Sequence, residues 1–288
     1  GSRFLTCFPL SEPTRMSNVD WQTAVRLRFG VADPLAILCR HASCQKRLAG
    51  QWWHPLICTL QRKRGCEVRH NSVVRALEAI ANRATGLTVQ HENHQAIPRG
   101  PMKEAAAASD AEEEQDGDPS RDVGKLARPD IVLIRRGGLR WLVDVSVSTA
   151  VADSYQERAA HLDGATAKQR ERQKEQAYRQ ALLRASRVSA SAGDEWGREQ
   201  LGGDSKVVFP FVLETHGRFG AQAKLLLGRL ADQFVGVGCN DKSKERKRQR
   251  FVAQAVAELS VALQVGNAGV IYSAASRSGA YKYPSVQR

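Results

Sequence analysis

The residues with the clearest capacity for chemistry lie in one run, from Arg128 to Ser146. Its spacing reads as two apolar strands folded back on a Gly137-Gly138 turn, each carrying one aspartate. Asp130 opens the first strand after Pro129, and Asp144 interrupts the second between Val143 and Val145. Carboxylates on adjacent strands suit a divalent metal, because hard cations such as Mg²⁺ or Mn²⁺ take oxygen ligands. A cation held there activates water and stabilises a phosphodiester under attack. Pro-Asp is also a common turn dipeptide, and an aspartate in a strand can be a satisfied edge residue, so a structural role stays open for each.

Metal-dependent nucleases commonly show Pro-Asp, a gap, then Asp/Glu-x-Lys. Thirteen residues separate Asp130 from Asp144, but Ser146 stands where the lysine is expected. The helix that follows can supply one. Lys174 falls on the face shared by Tyr178, Ala181, Leu182 and Ala185, and a lysine on the inward face of a polar helix needs a reason. Lys168 is the second candidate, off that stripe. Glu78, on an earlier helix, is a candidate third carboxylate or an ordinary surface glutamate.

A second cluster is formed by Cys39, Cys44, His54 and Cys58, with four, nine and three residues between successive members. Three thiolates and one imidazole can close a tetrahedral Zn²⁺ site. His41 or Cys66 can replace one ligand, and buried unpaired thiols with a surface histidine are the plainer account. Six cysteines in 288 residues, three of them around one histidine, favour a metal over a disulfide framework and point to a reducing compartment.

The net charge of +13 is uneven. Residues 101–125 hold 3 Lys/Arg and 8 Asp/Glu, so the rest holds 40 and 22, a net of +18. Such a surplus points to a polyanion, most simply nucleic acid. No apolar run reaches membrane length, which excludes a transmembrane helix and gives no membrane partner. Gly1-Ser2 without an initiating Met reads as the start of an excised segment, so the chain is expected to be part of a larger polypeptide.

These residues need elements to position them. Apolar periodicity predicts a helix near Trp21–Phe29 and another from Asn71, stopped by Gly86. Leu87 to His91 alternates like a strand. Residues 98–125 lose all periodicity and read as a disordered acidic insertion, either a solvated loop or a segment lying over the cationic groove. After the aspartate hairpin come a polar helix over 154–187, interrupted or started at Gly164, and a strand over Lys206–Glu214. Pro210 argues that this strand is an edge or bulged. A helix over Ala221–Phe234 follows, then a basic run, Lys242–Arg250, leading into a helix that ends near Val265, with an irregular tail from Gly266. The fold class is therefore α/β, a central mixed sheet flanked by helices. The expected organisation is an N-terminal helical linker (1–38), the Cys/His knuckle (39–66), a core (67–239) and a basic C-terminal helix and tail (240–288).

Past the knuckle, Arg69-His70-Asn71 is read as opening a helix. Together with the later Pro129-Asp130 and Asp144, this order resembles the restriction-like endonuclease domain of site-specific non-LTR retrotransposons, which lies after the reverse transcriptase. Lys174 with Tyr178 resembles that family's Lys-Tyr helix, and Phe211–Arg218 its late strand and glycine turn. The resemblance spans roughly residues 20 to 235. It implies a restriction-endonuclease-like core of the PD-(D/E)xK type whose lysine has moved to a helix. It further implies that the domain nicks one strand of target DNA, so that the new 3′-hydroxyl primes reverse transcription of element RNA in the nucleus. By this similarity Asp130 and Asp144 are Mg/Mn ligands, Lys174 is the catalytic lysine with Tyr178 beside it, and Cys39, Cys44, His54 and Cys58 hold zinc. Arg69, His70 and Arg75 are then placed to hold the nucleic-acid backbone. The family spaces its first two cysteines more closely, and the acidic insertion is not part of its pattern. The alternative is a catalytically inactive zinc-containing nucleic-acid-binding module of the same polyprotein, which the absence of a lysine at Ser146 favours. A folding or assembly domain is a third reading.

Overall fold

A computed structural model describes residues 3–6, 12–31, 44, 53–58, 62–91, 129–150, 152–191, 206–236 and 241–276. The acidic insertion at 98–125 and Cys39 lie outside the described residues. The strands are β1 (Leu87–His91), β2 (Ile131–Arg135), β3 (Arg140–Ser148) and β4 (Lys206–Glu214). They pair in that order, β1–β2 and β2–β3 antiparallel and β3–β4 parallel, a mixed sheet. The β2–β3 hairpin turns on Gly137 and Gly138, at φ 91° and 84°, where a side chain would be strained. A parallel pair needs a crossover, and β3 reaches β4 through α4 (Asp153–His161) and α5 (Ala165–Ser191), separated by Gly164 at φ 71°. Among the described residues β4 is an edge strand, which accommodates Pro210.

The remaining helices are α1 (Asn18–Phe29), α2 (His54–Ile57), α3 (Arg62–Asn82), α6 (Ala221–Val235) and α7 (Asp241–Ser276). Side chains alternate across a strand, and the two faces of this sheet bury different things. Ile131, Leu133, Trp141, Val143, Val145, Phe209, Phe211 and Leu213 face α3, α6 and α7 and make the main core with Val73, Leu77, Ile80, Leu226, Leu230, Leu259 and Leu263. Val132 and Leu142 face the other way and pack on Tyr178, Ala181 and Leu182 of α5.

Two expected boundaries are corrected. The helix expected from Asn71 begins at Arg62, so Arg69-His70-Asn71 lies inside α3 and does not open it. The final helix does not stop near Val265 but continues to Ser276. Gly266 looks like a terminator in sequence, yet it is a packing residue: a Cβ there would lie 2.7 Å from the Cα of Arg69. Glycine permits that close approach of α3 and α7. α7 is thus a core helix, carrying Phe251, Ala255, Leu259 and Leu263 inward. Its Glu258, almost fully buried, receives both guanidinium nitrogens of Arg83 at 2.8 Å. α1 and the short turn Arg3–Thr6 also pack on α7, where Ala24 and Phe4 meet Val261. Among the described residues no helix is long and apolar enough to cross a membrane.

Candidate active site

The β2–β3 register places Ile131 opposite Val143. One further step in that register sets Asp130 opposite Asp144. Directly opposed side chains in an antiparallel pair lie about 5 Å apart at Cβ, so the hairpin by itself brings the two carboxylates together. Asp130 is anchored across the gap, its Oδ2 accepting a hydrogen bond from the Val145 amide at 2.6 Å.

The lysine arrives from α5. Leu142, Asp144 and Ser146 project from β3 toward α5, where they meet Tyr178, Lys174 and Arg170 in turn. Two strand residues advance about 6.6 Å, and four helical residues about 6.0 Å. The strand and helix therefore stay in step for three successive contacts. The middle one is Lys174 Nζ to Asp144 Oδ1 at 2.5 Å, with both side chains largely buried. The third is Arg170 Nε to Ser146 Oγ at 3.2 Å.

Two carboxylates fix the rotation and height of α5. Glu214, the last residue of β4, accepts from the Ala167 amide in the first turn of α5 at 3.2 Å. Glu171 accepts from the Gln222 amide at the start of α6 at 2.9 Å. Acceptors at helix N-termini satisfy amides that lack intrahelical partners. Gly220 makes room for the second contact, since a Cβ there would collide with the Glu171 carboxylate.

The site is electrostatically tense. Burial pushes the Asp144 carboxyl up to about 6; the Lys174 charge pulls it down, and Asp130 pushes it up again. Among the described residues Asp144 Oδ2 is buried with no hydrogen-bond partner, an uncommon state for a buried polar atom. Tyr178 is fully buried, and its hydroxyl lies beside Asp144 without closing a hydrogen bond. Burial and the charges of Asp144 and Asp130 raise its pKa well above the ordinary phenol value, so it stays neutral. These features fit a divalent cation: two oxygen donors side by side, one of them orphaned in a protein interior.

His70, half-buried on α3, places Nε2 3.2 Å from Asp130 Oδ2 and Nδ1 3.2 Å from Asn71 Oδ1. Burial lowers its pKa, but the hydrogen bond and charge of Asp130 outweigh that, and the net shift is upward. A protonated ring can donate to both oxygens.

The expected nucleic-acid residues do not converge. Arg69 is buried between α3 and α7, with Nη1 3.5 Å from Asn267 Oδ1. It is a packing residue, not one held out to a phosphate. His70 is committed to Asp130. Arg75 is exposed on α3. Glu78 pairs with His91 of β1. Lys168 is exposed and lines a cavity of about 1420 Å³ with Arg172, Arg218 and Lys224, a cavity that contains neither aspartate. Sequence reasoning missed Arg170 altogether. The signal was present, because Arg170, Lys174 and Tyr178 recur at four-residue spacing.

At the knuckle, the ligand atoms of Cys44, His54 and Cys58 all lie within 4.8 Å of one another. His54 and Cys58 sit at the two ends of the short α2, and the Cys44 sulfur is 3.3 Å from His54 Nε2. Thiolate and imidazole donors this close suit a soft or borderline cation, with a fourth ligand to complete a tetrahedron. Cys66 lies within α3, beside Arg69, and is not a member of this cluster. No protein-family model matches the chain, and no curated protein matches it, so the functional reading rests on the site itself.

Proposed function

We propose that the chain is a Mg²⁺- or Mn²⁺-dependent DNA endonuclease with a restriction-endonuclease-like core, the nicking domain of a retrotransposon polyprotein. The observation that carries this reading is the ladder. Asp130 and Asp144 are opposed on a hairpin, and the lysine missing from the strand at Ser146 is replaced by Lys174 from α5. That displacement is the one the family resemblance implies. Bound at the carboxylates, the cation would supply charge neutralisation and an activated water. Asp130 and Asp144 would be its protein ligands, and the pairing of Asp130 with the Val145 amide and His70 holds that carboxylate in place. Lys174 steers the attacking water or stabilises negative charge on the phosphate. Tyr178, neutral and buried, walls the site and excludes solvent beneath Asp144. Cleavage that leaves a 3′-hydroxyl would prime reverse transcription of element RNA in the nucleus. Zinc at Cys44, His54 and Cys58, with Cys39 as fourth ligand, would staple the segment that precedes α3.

A second reading is a binding module without activity. Ser146 in the lysine position and the closed Lys174–Asp144 pair favour it. Incubation of supercoiled plasmid with Mg²⁺ or Mn²⁺ separates the two. The nuclease reading expects wild type to nick and Asp130→Ala and Asp144→Ala to be inert; equal nicking by the variants, or none by wild type, defeats it.

A further inference from the structure

The charges around the carboxylates are not all balanced. His70 is committed to Asp130, and Lys174 to Asp144. Arg170 differs. Its hydrogen bonds go to two neutral side chains, Ser146 Oγ through Nε and Gln173 Oε1 through Nη1 at 3.3 Å. Among the described residues it forms no ion pair, although it is half-buried on the same face as Lys174, close enough for its charge to act on Asp144. A guanidinium tethered by neutral acceptors beside a pair of carboxylates has its hydrogen bonds on uncharged groups while its charge still acts on Asp144.

Ser146 occupies the position, two residues after Asp144, from which a strand lysine would reach the reacting phosphate. Its short side chain brings no cation there, and its hydroxyl accepts from Arg170 Nε at 3.2 Å, which holds the guanidinium beside it. From this we infer that Arg170 is a phosphate-binding residue of the site, holding a non-bridging oxygen of the scissile phosphodiester, with Ser146 as its positioning residue. The inference rests on the nuclease reading and deepens it. The strand lysine of the common pattern is replaced by two helical cations one turn apart: Lys174 on the carboxylate and Arg170 on the phosphate. The planar fork of arginine suits a tetrahedral oxyanion better than a point charge does. With Nε on Ser146 and Nη1 on Gln173, Nη2 is the guanidinium nitrogen left for the ligand.

The test is single-turnover nicking of supercoiled plasmid in saturating Mn²⁺ by wild type, Arg170→Ala, Arg170→Lys, Ser146→Ala and Asp144→Ala, with each variant's thermal unfolding measured in parallel. Arg170→Ala should fold normally and nick roughly 10²-fold more slowly, the usual loss when one donor to a reacting oxyanion is removed. Arg170→Lys should recover part of that loss, and Ser146→Ala should lose several-fold. Added guanidinium ion should accelerate Arg170→Ala and not Asp144→Ala, a rescue that a merely structural role does not produce. If wild type nicks and Asp144→Ala is inert while Arg170→Ala matches wild type, the assignment of Arg170 is overturned and the nuclease reading stands. If Arg170→Ala is slow but neither lysine nor guanidinium restores it, the phosphate role is likewise overturned. If wild type does not nick, both fall.

Discussion

The two faces of the sheet are built from alternate residues of the same strands, yet they have opposite character. In β3, Trp141, Val143 and Val145 enter a continuous apolar core, whereas Leu142 is followed on the other face by Asp144 and Ser146. The core face packs three helices and is held chiefly by apolar contact, although the Trp141 indole nitrogen is buried there without a hydrogen-bond partner among the described residues. The α5 face holds a buried carboxylate with an unpartnered oxygen, a buried phenol and two cations. Such a face costs stability unless something else settles its charge. A strand's period of two lets one face hold the fold while its neighbour carries a buried polar constellation.

Substitutions should split the two faces. The largest expected effect is on activity: Asp144→Ala should lower metal-dependent nicking by roughly 10³-fold or more, since it removes a proposed ligand of the charge-stabilising cation. Its thermal unfolding should show no matching loss. On the opposite face, Leu133→Ala should cost about 2–5 kcal/mol in denaturant unfolding, with the folded fraction still nicking normally. A Leu133→Ala protein of normal stability would mean that the core face is not what holds the sheet.

Gly266→Ala should cost about 1–3 kcal/mol by forcing α3 and α7 apart, measured as a shift of the denaturant midpoint. A neutral result would show that the close approach at Arg69 relaxes freely.

A smaller effect is a pH signature of the metal-free protein. The carboxyl of Asp144 is raised in the folded state, from 3.8 to about 6. The folded state then binds the proton more tightly than the unfolded chain does. The corresponding stability is fully present below about pH 4 and is lost as pH rises through about 6. Asp144→Asn should flatten that decline in metal-free unfolding curves, and added Mg²⁺ should reverse it near neutral pH. An unchanged pH dependence in Asp144→Asn would place the raised proton affinity elsewhere.

Much of this arrangement was legible in the sequence because it follows from short-range periodicity. The double glycine at 137–138, the alternation of 87–91, the break at Gly164 and the edge-strand character of Pro210 are local signals, and each element stands where they put it. Lys174 was legible too, since a lysine on an otherwise apolar stripe stands out. What could not be read were approaches between distant segments. Arg69 looked like a cation available to phosphate, but its surroundings are set by Gly266 and Asn267, nearly two hundred residues away in the chain. Gly266 resembled a helix stop because its packing role exists only once α3 lies against it. Arg170 was missed because an arginine in a helix rich in charged residues looks solvated until β3 supplies Ser146. Of the four ligands expected of a zinc knuckle, three lie among the described residues, and they cluster.

The most direct test of the account is the nicking rate of Lys174→Ala in saturating Mn²⁺, with Mn²⁺ binding measured on the same protein. If the helix delivers the missing strand lysine, nicking should fall by about 10²–10³-fold while Mn²⁺ still binds at the paired aspartates. Nicking at the wild-type rate would contradict the account, because the contact between Lys174 and Asp144 would then have no part in the chemistry.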